Sequence, residues 1–213
     1  MPFLPPKVLP VCPNAKVVSM SQRVRNPELF LAGISLRPAK IDDISAIRYV
    51  HSAATRACAA HHLGDDDVET LASAINREEY VHAVAGSDLT AAWVGGELVG
   101  TVGWKPTGAA PDVARLQMLF VWPLFAGAGI GRLLVSHAEA DAHAAGYRSV
   151  RVRTTIQQAP FFKRLGYVMT AQSALRTGSG GRLPIAYLRK DEICPDFPIT
   201  ESAWGDAGRR YHH

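Results

Sequence analysis

Val121-Trp122-Pro123-Leu124-Phe125-Ala126-Gly127-Ala128-Gly129-Ile130-Gly131-Arg132-Leu133-Leu134 is the stretch that decides how this chain folds. An apolar strand, Leu116 to Val121, stops at Pro123. A loop with three alternating glycines follows, and then a helix carries Ile130, Leu133, Leu134 and Ala138 on one face. Such a junction presents unpaired backbone N–H groups at the positive end of a helix dipole, which suits a phosphate or pyrophosphate. Glycine allows the ligand to approach the backbone without a side chain in the way. The first reading is therefore a protein that holds a phosphate-bearing cofactor.

Two nucleotide readings fail on specific residues. A dinucleotide fingerprint needs G-x-G-x-x-G and an acid about 20 positions on, whereas this loop reads G-x-G-x-G with Arg132 next and Tyr147 near the acid's place. A Walker A loop needs Lys and then Ser or Thr after the last glycine, and Arg132-Leu133 is neither. The loop instead resembles that of the GCN5-related N-acetyltransferase (GNAT) superfamily, roughly Gln/Arg-x-x-Gly-x-Gly/Ala after a strand ending in Val-x-Pro. Gly129 and Gly131 match the glycines, and Val121 and Pro123 match the strand end, while Ala126 replaces the Arg or Gln. A second block, Ala159-Pro160-Phe161-Phe162-Lys163-Arg164-Leu165-Gly166-Tyr167, resembles the family's Ala-x-x-Phe-Tyr-x-x-x-Gly-Phe/Tyr segment, in the right order and at a typical separation. The resemblance covers residues 34 to 190. It implies an α/β (α+β) fold with a central mixed, mostly antiparallel, splayed sheet flanked by helices.

The rest of the chain agrees with that order. Residues 1–33 are Pro-rich and then basic and polar, and are expected to be a poorly ordered extension; Met20 is a second candidate start. Ile34-Ser35-Leu36-Arg37 alternates as a strand. Asp42 and Asp43 cap a helix with Ile44, Ile47 and Val50 inside, and a second helix starts in Asp65-Asp66-Asp67, where Asp66 with Glu69 resembles a capping box. Two apolar strands flank Gly95-Gly96, a hairpin signal. Gly146 ends the helix after the glycine loop. Ser149 to Thr155 sets Val150 and Val152 against Arg151 and Arg153, a strand with one wet face. After a short helix from Pro160 to Leu165 come two last strands, Tyr167 to Leu175 and Ile185 to Arg189, joined through Gly178-Ser179-Gly180-Gly181. The order expected is strand, two helices, three strands, helix, strand, helix and strand. Residues 191–213 read as a loosely attached tail.

Composition narrows the classes. The 213 residues are 47% hydrophobic and 20% charged, enough for one well-cored domain plus tails. The net charge of +4 comes without a run of Lys or Arg, so no nucleic-acid partner is expected, and a mildly basic surface suits a polyanionic cofactor. Three widely spaced cysteines, Cys12, Cys58 and Cys194, argue for reduced thiols in a cytoplasmic setting and against a disulfide framework or a metal site. No apolar run approaches a membrane span, and the prolines near the N-terminus break any signal-peptide core.

The resemblance implies acetyl-CoA as co-substrate and a primary amine, on a small molecule or a protein, as acceptor. It places Leu119, Phe120 and Val121 along the pantetheine arm through their backbone. It places Gly127, Ala128, Gly129, Ile130, Gly131 and Arg132 around the pyrophosphate, Arg132 adding a charge-assisted contact. In many relatives a tyrosine protonates the departing thiolate; here that position is Phe162, which has no proton to give and is left a packing role against the cofactor arm or in the core. The Asn often found before this helix is replaced by the region of Thr155, Gln157 and Gln158. No catalytic residue is assigned. His51, His61 and His62 are candidate bases by pKa, Gln117 cannot take a proton, and Cys58 is expected to be inert. Asp65, Asp66 and Asp67 would attract a cationic acceptor or simply lead a helix, and Tyr80 and Trp104 would wall a pocket or fill the core. A non-catalytic acyl-CoA-binding module is the alternative that Phe162 favours, and a homodimer stays open.

Overall fold

Pairing among the strands does most to position the site. The computed structural model describes residues 31–193 except 86, 109, 178 and 179. Residues 1–30 of the expected extension with Cys12 and Met20, the tail from Cys194 on, and Gly178-Ser179 lie outside the described residues. The elements are β1 (Ser35–Pro38), α1 (Ile44–Ala59), α2 (Asp65–Ser73), α3 (Glu78–Ala85), β2 (Leu89–Val94), β3 (Glu97–Thr107), β4 (Ala110–Val121), α4 (Ile130–Ala144), β5 (Ser149–Thr155), α5 (Ala159–Arg164), β6 (Val168–Arg176) and β7 (Arg182–Lys190). The strands form one sheet in the order β1-β2-β3-β4-β5-β7-β6. Among the described strands only β4 and β5 run parallel. They match Val113–Leu116 with Ser149–Val152 and then part: β4 continues beside β3 to Val121, and β5 continues beside β7 to Thr155. The expected splay is thus present, and it opens beyond Leu116.

Each sheet face is built by alternation. Val102, Leu116, Val150 and Val152 point to one side and bury Ile130, Leu134, Val135 and Ala138 of α4. On the other side Ile47 and Val50 of α1 pack with Leu89 and Leu98, and Ala59, Leu63 and Val68 pack on Leu183 and Ile185 of β7. Gly95 and Gly96 make the two-residue hairpin loop with φ 58° and 88°, both in the left-handed region that such a turn requires. The ends of α4 and α5 share one design. The Gly146 and Tyr147 N–H groups donate to the His143 and Ala142 carbonyls, and the Gly166 and Tyr167 N–H groups donate to the Lys163 and Phe162 carbonyls. The second motif carries its usual apolar contact, with Tyr167 and Phe162 ring centroids 5.4 Å apart.

Three local expectations need correction. A third helix, α3, stands between α2 and β2, where two helices were expected. Arg48 of α1 fixes the start of α3 by donating through Nη2 to the Asn76 and Arg77 carbonyls at 3.1 and 3.3 Å. Asp66 and Glu69 do not form a capping box: α2 starts after Gly64 without a side-chain cap, and the Glu69 carboxylate takes the Arg56 guanidinium of α1 instead. Asp43 leads α1, but its carboxylate turns back to accept the Lys40 N–H at 2.8 Å and a bidentate pair from Arg37 at 2.7 and 2.9 Å. The strong charge-assisted fork wins over a cap.

Candidate active site

The splay and the glycine loop meet at one place. Beyond Leu116 the edge of β4 that faces β5 has no strand partner among the described residues, while its other edge stays on β3 through Thr101 and Phe120. Leu119, Phe120 and Val121 lie on this segment, half-buried, so their backbone is open to a ligand that pairs like a strand. The chain then turns through Pro123–Phe125 into Gly127 (φ 80°) and Gly129 (φ 86°), the residue that precedes α4. Leu133 donates to the Gly129 carbonyl at 3.1 Å as the first intrahelical bond, so the N–H groups of Ile130, Gly131 and Arg132 lead the helix without an intrahelical acceptor. Gly129 offers no side chain to cap them. The Arg132 side chain is exposed on this first turn. A Cβ on Gly131 would stand 3.2 Å from the Phe161 ring, so the glycine keeps a narrow gap between loop and α5. Close approach, free donors and a helix dipole together fit a pyrophosphate, and the open edge of β4 fits the arm that would follow it.

Sequence reasoning missed what holds β4 in this shape. Between the pairs Thr101↔Phe120 and Gly103↔Gln117 the strand β4 carries one residue more than β3, a β-bulge, and Met118 takes φ 51°. That left-handed conformation is costly for a residue with a side chain. A chain of hydrogen bonds secures it. The Thr101 hydroxyl donates to the Met118 carbonyl at 2.8 Å. Its oxygen then accepts from His51 Nε2–H at 2.6 Å, which leaves Nδ1 as the acceptor for the Tyr80 hydroxyl. One direction runs through all three bonds, from α3 through α1 and β3 to the bulge. The His51 ring also stacks on Phe120, centroids 4.0 Å apart. His51 is fully buried, and burial pushes its pKa down to about 3, so it stays neutral in the folded chain. Burial raises the Tyr80 phenol above its ordinary range. His51 thus sits at the floor of the site as a neutral spacer with both nitrogens engaged, not as an accessible base.

The other candidates are dispersed. His61 and His62 are exposed in the turn after α1. Asp65 and Asp66 are exposed, whereas Asp67 is buried and accepts the Thr177 hydroxyl at 2.7 Å, tying α2 to the end of β6. Cys58 stands with Sγ 3.4 Å from Thr155 Oγ1 at the end of β5. Tyr80 belongs to the site through His51, but Trp104 lies on the α4 face of the sheet against Tyr147 and walls no pocket with it. Gln117 is half-buried on the α1 face, at the root of the splay. Phe162 is only 2% exposed and packs in the core between Phe161 and Tyr167, so Phe161 is the ring that flanks the loop. Among the described residues no helix is long and apolar enough to cross a membrane.

Known proteins share this architecture. Residues 59–180 match the family model described as acetyltransferase (GNAT) domain. A protein named a GCN5-related N-acetyltransferase (aminotransferase, class-II), from Rhodopseudomonas palustris, has 26% identity and a TM-score of 0.64, over 74% of this chain and 94% of its own. The PaiA N-acetyltransferase from Thermoplasma acidophilum, solved with coenzyme A, has 17% identity and a TM-score of 0.60 over 74% and 98%. YncA from Salmonella typhimurium, a putative acetyltransferase solved with its cofactor acetyl-CoA, has 18% identity and a TM-score of 0.55 over 78% and 98%. At these last two identities the likeness establishes the fold alone. No curated protein matches the chain. The family model spans more than half of the sequence, and the glycine-loop block lies in the site just described, so the chain belongs to the GNAT acetyltransferase family.

Proposed function

We propose that this protein is an acetyl-CoA-dependent N-acetyltransferase that passes the acetyl group directly to a primary amine in a ternary complex. The observation that carries the reading is the junction of an unpaired β4 edge with the donor-rich start of α4. Gly127, Ala128, Gly129, Ile130, Gly131 and Arg132 hold the pyrophosphate, and the Leu119–Val121 backbone aligns the pantetheine. The amine nitrogen bonds to the carbonyl carbon as the carbon–sulfur bond breaks, sulfur keeps the electron pair, and the surplus amine proton leaves to solvent. Phe162 offers the thiolate no proton. A thiol pKa of about 8.5 makes the thiolate a tolerable leaving group near neutrality, and water then protonates it. The chain contributes orientation and exclusion of bulk water. The working unit is residues 34–190, in a cytoplasmic setting that the small number of cysteines suits.

Calorimetric titration with acetyl-CoA tests this, alongside Gly129→Trp, which places a bulky side chain at a left-handed position of the loop. Saturable binding that the variant loses, followed by thiol release on adding amines, is the expected outcome. Binding without release for any amine would instead favour the acyl-CoA-binding module.

A further inference from the structure

The sequence has no basic run, yet the sheet assembles one. Lys105 pairs with Arg115, Arg115 with Arg151, and Arg151 with Arg189, so cations from β3, β4, β5 and β7 stand in one row. Directly paired residues point to the same side of a sheet, and neighbouring strands are about 4.8 Å apart, so the row spans roughly 14 Å. Arg153, two residues from Arg151, joins it from the next row, where Tyr187 and Ala171 are its neighbours. Arg115, Arg151, Arg153, Arg189, Tyr187 and Thr170 line a single concavity of about 580 Å³. No acidic side chain lines it among the described residues; Asp191, at its end, pairs with Arg189 and accepts from Ser149. Like charges set directly opposite on a sheet repel. A surface that tolerates four in a row has reason to meet negative charge.

The position of the groove says what that charge belongs to. It lies on the α1 face: Thr155, on the same side of β5 as Arg151 and Arg153, touches Cys58 of α1. Ile185, on the same side of β7 as Tyr187, packs under α1 and α2. The helices cover this face at the splay and leave it open below, where Tyr187 is 37% exposed. The last β4–β5 pair is Leu116↔Val152, so Gln117 and Arg153 are the first residues of the widening gap. The groove therefore starts at the root of the splay.

We propose that this groove is the acceptor subsite and that the acceptor is an anionic amine, whose carboxylates or phosphates lie along the arginine row while its nitrogen reaches the splay. The inference rests on the acetyltransfer reading and adds the substrate class to it. Arg153 and Arg151 take the nearer negative groups, Arg115 and Arg189 the farther ones, and Tyr187 supplies an apolar floor. Cationic acceptors such as polyamines meet repulsion there.

The test compares paired acceptors at saturating acetyl-CoA: an acidic peptide with a free N-terminus against its Lys-substituted counterpart, and O-phosphoethanolamine against ethanolamine. The anionic member of at least one pair is expected to have a kcat/KM at least tenfold higher, with the advantage shrinking at high salt. The two pairs distinguish a peptide source from a small phosphorylated one. Arg151→Glu and the milder Arg151→Gln should abolish the preference while acetyl-CoA affinity, read by calorimetry, stays at the parent value and reports an intact fold. Equal use of both members in both pairs, or a preference that survives in Arg151→Glu, overturns the inference. Anisotropy of a labelled acidic peptide without acetyl-CoA separates the two failures. Peptide binding lost in the variant, with no amine ever acetylated, sinks the acetyltransfer reading and leaves the anion groove; acetylation indifferent to charge does the reverse.

Discussion

Thr101→Val removes one hydroxyl and leaves the side-chain shape. Thr101 is fully buried, so no water replaces the lost group. The Met118 carbonyl loses its 2.8 Å donor and His51 Nε2–H loses its 2.6 Å acceptor. A buried polar group left unsatisfied costs about 1–3 kcal/mol, so two of them cost about 2–6 kcal/mol. Against a native stability of about 5–15 kcal/mol this is a large fraction. At about 2–4 °C per kcal/mol for a domain of this size, Tm should fall by roughly 4 °C at least and by up to about 24 °C. Thr101→Ser keeps the hydroxyl and loses one methyl, worth about 1 kcal/mol. Thermal unfolding of the three proteins measures the difference, and acetyl-CoA titration of the folded variants gives a second readout. The bulge at Met118 leads directly into Leu119–Val121, so the Val variant should bind acetyl-CoA at least tenfold more weakly, whereas the Ser variant should match the parent. A Val variant as stable and as tight-binding as the Ser variant would show that the hydrogen-bond chain does not hold the strand.

The same geometry sets further expectations. His51 has a folded pKa of about 3 against an ordinary 6.5, so between these values the unfolded chain binds a proton that the folded chain refuses, and stability falls as pH falls. The slope from this residue is about 1.4 kcal/mol per pH unit; denaturant unfolding should show the gap between parent and His51→Gln narrowing by about 2 kcal/mol from pH 6.5 to 5, and a constant gap would contradict a buried neutral imidazole. The Arg37 fork holds the Asp43 carboxyl below its ordinary range, so its contribution is present above about pH 4 and is lost as pH falls through the lower, folded value. Asp43→Asn should therefore be destabilised at pH 7, and the difference from the parent should close in acid. Gly100→Ala would bring a Cβ within 2.8 Å of the Phe120 carbonyl and 2.9 Å of Leu134 Cδ1, where backbone and core leave little room. Overpacking of this kind costs about 1–3 kcal/mol, and a Tm equal to the parent's would show that β4 yields more freely than its pairing indicates.

What was legible in the sequence is what neighbouring residues decide. Gly95-Gly96, Gly127 to Gly131 and Gly146 mark turns and helix ends because each conformation is local and few residues can adopt it. The alternation of Val150 and Val152 with Arg151 and Arg153 declared a half-wet strand for the same reason. Helix α3 was missed because its eight residues are held in place by Arg48, 28 and 29 positions away, and by the Tyr80–His51 bond across 29. The Asp66–Glu69 pattern misled because a guanidinium 13 residues distant competes for the same carboxylate. Each error arises where a partner remote in sequence outweighs a local motif.

Sheet register is the extreme of that rule, and it changes a conclusion about charge. Lys105, Arg115, Arg151, Arg153 and Arg189 are spread over more than eighty positions, so a search for basic runs finds nothing. Their adjacency exists only once β3, β4, β5 and β7 pair in the observed order, and a slip of one residue in any strand would turn its cation to the opposite face. The core fixes that register: Val150 and Val152 must face α4, which obliges Arg151 and Arg153 to face the other way. The hydrophobic pattern that folds the chain thereby also builds the basic groove. A substrate preference written this way is invisible to motif reading, because the residues that carry it were placed by their apolar neighbours.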